Sequence, residues 1–279
     1  MTPLQKTLKY LAMAFAIFLC ISILIGIFGG LYTVTYFISG NSGEQGVESI
    51  MTEQFSGGEI TGLRVNISAA ELEIKAGEKF SVETNHKYIT CKENGDILEI
   101  DETKPFFASH PGGMKVILTI PKETVFDYAD IRTAAGSLKI DNFRVNSFSA
   151  NLGAGELSAE GLYVLHNTEI EGGAGSVTIQ HSYLNNSDID MGVGELDFEG
   201  ELDGNCNIDY GIGETNLVLS GTENDYTIEL DKGIGEAMIE GKKMSDDSVY
   251  GYGIRQIEID GGIGELNITF NPKNEYEKI

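Results

Sequence analysis

Positive charge is scarce in this sequence. Against 43 Asp and Glu stand 19 Lys and Arg, giving a formal net charge of −24 and a pI of about 4.4. A surface of that sign repels duplex nucleic acid and excludes it as a partner. The arginines, at 64, 132, 144 and 255, form no cluster with acids of the kind a β-helix polysaccharide lyase uses. The histidines, at 86, 110, 166 and 181, are scattered, and none stands at ligand spacing from a cysteine or carboxylate. No Gly-x-Ser-x-Gly elbow or phosphate loop occurs, and no Gly-x-Gly has the later glycine that completes a dinucleotide fingerprint. These absences point away from an enzyme. The three cysteines obey no spacing rule: Cys20 lies in an apolar run, Cys206 at an inward position, and a Cys91–Cys206 bridge has no pattern behind it.

What the chain has in plenty is glycine, 35 residues against 5 prolines. Many glycines belong to one recurring phrase, Gly-x-Gly followed by Glu or Ser. Its second glycine falls at 155, 175, 194, 213, 235 and 264, with a degenerate copy at Gly136. A period of about 20 residues marks a stacked repeat. Five residues before the second glycine stand Ile131, Ala150, Ile170, Ile189, Ile208, Leu230 and Ile259. Apolar residues also stand two and four after it, as in Leu138 and Ile140 or Leu196 and Phe198. Alternation at spacing two is a strand with one buried face. Inward parity shifts across the glycines, which reads as a bend that glycine makes accessible.

The predicted fold is therefore all-β: a single-stranded β-solenoid of coils of about 19–22 residues, each stacked on the one before at about 4.8 Å. The residue between the glycines (Ala135, Ala154, Ala174, Val193, Ile212, Ile234, Ile263) is apolar throughout and is expected to point inward at the corner. That expectation argues against an antiparallel meander, whose hairpin tips would be exposed.

A second signal lies at the N-terminus. After Lys6 and Lys9 no charge appears until Glu44, and residues 11–28 are almost wholly apolar. This predicts one transmembrane helix within residues 10–38, uncleaved and with residues 1–9 cytoplasmic, rather than a cleaved signal peptide. The acidic domain then lies outside the cell membrane. Residues 39–58 read as a linker, 59–130 as N-terminal strands or a cap, 131–270 as the repeat solenoid and 271–279 as a polar tail. Ser68-Ala69-Ala70-Glu71-Leu72 looks like a worn copy of the corner phrase. Two insertions, residues 104–113 and 244–253, break the regularity, and insertions in repeat proteins often carry the binding face.

The Gly-x-Gly-Glu-Leu coils, the strand over residues 116–122 and the transition from Ile131 to Ile140 together resemble the bacterial “putative adhesin” family. That resemblance covers roughly residues 59–270 and implies a β-helix domain of unknown function, often behind one membrane helix and in some members linked to cell-envelope stress systems. It implies no catalytic residues.

Two candidate sites follow from the residues themselves. The corner carboxylates Glu195, Glu214, Glu236 and Glu265 should stack one coil apart, repelling by about 0.9 kcal/mol per pair in water. Calcium would relieve that repulsion, which makes them candidate calcium ligands. The alternative is a solvated acidic ridge, since Ser137 and Ser176 break the file. Phe106 and Phe107, beside Pro105 in the first insertion, are the candidate contact pair for a glycan or protein partner. No other cofactor is implied. The expected role is a non-catalytic, membrane-anchored envelope accessory or interaction protein, the alternative an adhesin-like module for cell-wall or surface glycans.

Overall fold

The computed structural model describes residues 51–54, 60–103 and 113–272. They belong to one compact unit, Val47–Ser109 with Gly113–Ile279. The predicted transmembrane helix, most of the linker, Phe106 and Phe107 lie outside the described residues. Among the described residues no helix is long and apolar enough to cross a membrane.

In chain order the strands are β1 (Met51–Gln54), β2 (Gly62–Gly77), β3 (Ser81–Thr84), β4 (Ile89–Asn94) and β5 (Ile97–Glu102). There follow β6 (Lys115–Pro121), β7 (Val125–Asn185), β8 (Ser187–Asp203), β9 (Asn205–Ser220) and β10 (Tyr226–Asp231). The chain ends with β11 (Ile234–Ile239), β12 (Lys242–Lys243), β13 (Ser248–Gly251) and β14 (Arg255–Asn271). All belong to one 14-stranded open sheet. β7 is long because it runs through three successive coils, bending at Gly136, Gly155 and Gly175.

Neighbouring coils pair in parallel and in register. Gly175 lies beside Gly194, Gly194 beside Gly213, and Gly213 beside Gly264. Parallel pairing excludes the meander. The inward files are those that the alternation predicts: Ile131, Ile170, Ile189, Ile208 and Ile259 are at most 1% exposed, as are Leu138, Leu157, Val177, Leu196 and Leu266. Cys206 is buried among them, its thiol donating to the Asp203 carbonyl, and no disulfide exists among the described residues.

The glycine column explains how a parallel ladder continues around a tight corner. A Cβ built on Gly213 would stand 1.6 Å from the Gly194 carbonyl oxygen, and one on Gly194 1.7 Å from that of Gly175. Gly264 and Gly235 meet the same obstacle at 1.7 Å, from Gly213 and Gly264 respectively. The corner backbone of each coil thus occupies the space that a side chain of the next would need. Ala70 is the informative exception. It pairs with Gly136 in the column, and among the described residues the ladder on its other side is interrupted between Asn66 and Glu71.

Each regular coil also turns at places the repeat phrase does not mark. Asn142, Gly161 and His181 form a second column of left-handed residues, at φ of 53°, 68° and 50°. A third turn is held by an asparagine ladder. Asn185 and Asn186 donate through their amides to the carbonyls of Leu165 and His166, and the Asn186 side-chain oxygen accepts from the Asn205 N–H.

Stacking departs from chain order at both ends. The coil of Gly264, the last in sequence, lies directly on the coil of Gly213. The coil of Gly235, made by β10 and β11, lies outside it. At the other end β5 and β6 form the outermost coil, and β2, earlier in the chain, sits between them and β7. Each outermost coil is then covered by antiparallel strands, β4 and β3 at one end, β13 and β12 at the other. These short strands, supplied partly by the insertion at residues 244–253, cap edges that would otherwise template aggregation.

Arg255 pins the exchanged coil. Its guanidinium reaches both Glu201, which is buried, and Asp203 at 3.1 Å, and it lies over the Tyr226 ring at 5.4 Å. A partly buried charge cluster of this kind specifies position more than it adds stability. In β14, Arg255 sits where it meets the end of β8; Tyr226, its register partner in β10, carries no charge to offer there.

The clash geometry makes a direct prediction. Gly213→Ala should destabilise by about 3 kcal/mol or more, read as a lower urea midpoint with unchanged slope. Gly95→Ala, at φ +70° but with nothing within 4 Å of the added methyl, should cost only about 1 kcal/mol. Equal costs would mean that corner packing is not what requires glycine.

Candidate interaction surface

The residue between the two glycines does not point inward, as its uniform apolarity suggested. Ala135 and Ala154 are exposed, Ala174 and Val193 half-exposed, and Ile212, Ile263 and Ile234 are 45%, 50% and 70% exposed. The inner side of the corner is filled instead by the residue three before the second glycine. There Leu152, Met191 and Tyr210 are buried, and the Met191 thioether and Tyr210 ring occupy the space beside Gly172 and Gly261. Four residues, from two before the second glycine to one after it, make the outward bend. The inward side of the first strand therefore ends two positions earlier than its apolarity suggests, and inward parity resumes two after the glycine. That inner position carries residues of unlike size, Leu152, Gly172, Met191, Tyr210 and Gly261, and so forms no uniform apolar column.

The outside of the corner is consequently a set of parallel files. The central one is aliphatic, with Ala174 beside Val193, Val193 beside Ile212, Ile212 beside Ile263 and Ile263 beside Ile234. A glycine file runs on each side of it. Beyond one glycine file lie Glu195, Glu214, Glu265 and Glu236 in that spatial order, in register with one another. Beyond the other lie Glu171, Asp190, Asp209, Asp260 and Asp231.

The sequence-predicted carboxylates are thus brought together, with the order of the last two exchanged by the coil swap. Among the described residues no group of three or more His, Cys, Asp and Glu is arranged to hold a metal ion. Glu236 is paired instead with Lys243 at 2.8 Å, which lowers its pKa. The second carboxylate file, along the first strand of each coil, was not singled out from the sequence. Its signal was present all the same: Glu171, Asp190, Asp209, Asp231 and Asp260 each stand four before a corner glycine.

Like charges one coil apart perturb both files. The Glu195 carboxyl is raised above its ordinary value chiefly by the neighbouring Asp197 carboxylate, then by partial desolvation and by Glu214. Asp209 is raised by burial, then by its hydrogen bond with Asp190 and the field of Asp260. Both groups hold their protons more tightly folded than unfolded. Their destabilising effect is absent below the unfolded pKa and sets in as pH rises through the folded one. Asp225 has the opposite sign: hydrogen bonds donated by the Thr222 backbone and hydroxyl lower it, so its contribution is lost as pH falls.

An acidic, laddered β-solenoid is the class of domain these observations define. The chain belongs to the Toastrack DUF4097 family, whose model matches residues 60–253. Among solved structures it is similar to a “putative cell adhesion protein” from Clostridium sporogenes ATCC 15579. There the identity is 16%, the match covers 79% of this chain and 98% of that one, and the TM-score is 0.38. It is also similar to a “putative adhesin” from Bacteroides fragilis NCTC 9343, at 11% identity, 78% and 96% coverage and a TM-score of 0.41. No curated protein matches the sequence.

The carboxylate files predict the sign of a pH response. At low salt the melting temperature should rise as pH falls from 7 into the range where Glu195 and Asp209 take up their protons, and Asp209→Asn should raise it at pH 7 and flatten the slope. A melting temperature that falls steadily over that range, or is lowered at pH 7 by Asp209→Asn, would contradict the ladder repulsion.

Proposed function

We propose that this protein is a non-catalytic, membrane-anchored interaction module of the bacterial cell envelope, with the solenoid displayed outside the membrane. The observation that carries this reading is the repetition of surface chemistry. Every coil from Gly194 to Gly235 presents the same outward residues in the same register, so the surface is an extended stripe and not a focus of converging groups. Catalysis needs unlike groups placed around one reacting atom; a stripe of like groups suits contact with an elongated partner. The uncharged apolar run before Glu44 supports the anchor, and the acidic composition supports a partner other than nucleic acid. Envelope stress signalling and wall-glycan binding are narrower forms of the same role.

Cross-linking the full-length protein in its own membranes, followed by identification of the adducts, tests the proposal. Recovery of a defined membrane or envelope protein supports the accessory role. Recovery of wall polymer alone supports the glycan-binding form and directs attention to Phe106 and Phe107. Fractionation of the intact chain to the soluble cytoplasm would overturn the placement altogether.

A further inference from the structure

The aliphatic file at the corner is not required by the corner. At the same position Ala135, Ala154 and Ala174 build coils of the same register as those of Val193, Ile212, Ile263 and Ile234. In spatial order the file grows from alanine to isoleucine toward one end, and over the three isoleucines exposure rises from 45% at Ile212 through 50% at Ile263 to 70% at Ile234. Isolated exposed apolar residues need no account, but a continuous registered row of branched ones marks a contact surface. This row is flanked by a glycine track on each side. Beyond them stand Asp190, Asp209, Asp260 and Asp231 on one side and Glu195, Glu214, Glu265 and Glu236 on the other. Among the described residues, the only one of these eight acids that forms an ion pair is Glu236, with Lys243.

We propose that this crest docks a cationic amphipathic helix of a polypeptide partner. The inference rests on the reading of the protein as an interaction module and names the chemistry of the segment it receives. Charge decides among occupants. A second copy would set carboxylate files against carboxylate files, and anionic lipid or an acidic polymer would meet the same repulsion. A segment with an aliphatic stripe and Lys or Arg on both flanks satisfies the crest and both walls together. Spacing agrees with a helix: residues three and four apart advance about 5 Å along its axis, against about 4.8 Å per coil. The crest from Val193 to Ile234 therefore matches about three helical turns.

The test uses the full-length protein in nanodiscs of zwitterionic lipid, with empty discs as the blank. The probe is a fluorescent Leu/Lys peptide of about 14 residues patterned as an amphipathic helix. Its control has the same composition, scrambled to abolish the stripe. The variant Ile212→Thr/Ile263→Thr/Ile234→Thr keeps β-branching at each position, and its melting temperature is checked alongside. The proposal expects saturable binding, weakened about tenfold or more by the triple variant, by the scrambled peptide and by about 0.5 M NaCl. Equal affinity of wild type and triple variant, or of patterned and scrambled peptides, would overturn it. If the crest fails this test while membrane cross-links still recover a protein on another face, the docking site is wrong and the module reading stands. If the crest binds the peptide but the membranes yield no protein partner, the reverse holds.

Discussion

Everything in this fold depends on the close approach of corner backbones in the glycine column. Parallel strands hold their spacing through hydrogen bonds, but at an outward corner the next carbonyl lies where a side chain would begin. Glycine removes the obstacle, and the ladder continues through the bend without a gap. Once corners stack, every position of the coil stacks, and the surface becomes a set of files one residue wide. The files carry the consequences: aliphatic on the crest, bare beside it, carboxylate beyond.

The ends obey a different constraint. A solenoid that simply stopped would leave a full coil of unpaired backbone groups exposed. Here the terminal coil of the sequence is tucked beneath its predecessor, and the predecessor is covered by short antiparallel strands. The same exchange occurs at both ends, with β2 beneath β5 and β6, and β14 beneath β10 and β11. β2 and β14 are thereby held by partners on two sides, while the strands left at the edges, β1 among them, are short. The Arg255 cluster with Glu201 and Asp203 ties one of these inner coils to β8.

Much of this was legible in the sequence, because stacking converts a spatial file into a periodic column of letters. The strand alternation, the parallel coils and the Glu195, Glu214, Glu236 and Glu265 file all follow from the period. Three features did not follow. Apolar uniformity normally signals burial, whereas at the mid-corner residue it records an exposed crest. The exchange of end coils leaves the period untouched, since Gly235 and Gly264 carry the same phrase whichever lies inside. The second and third turns use Asn142, Gly161, Asn185 and Asn186, which repeat in space but differ in identity from coil to coil. The degenerate phrase at Ala69 and Ala70 is recognisable, and its departure from glycine falls where the outer ladder of the described residues is interrupted.

Coil order is the point on which the account of the exchanged ends rests. Disulfide trapping reads it directly, because registered neighbours on parallel strands lie within bridging distance and second neighbours do not. In the full-length protein with Cys20, Cys91 and Cys206 replaced by serine, Asn207→Cys with Glu258→Cys should cross-link readily under mild oxidation. Asn207→Cys with Glu229→Cys, which a chain-ordered stack would bring together, should not. Efficient bridging of the second pair and not the first would contradict the exchanged ends.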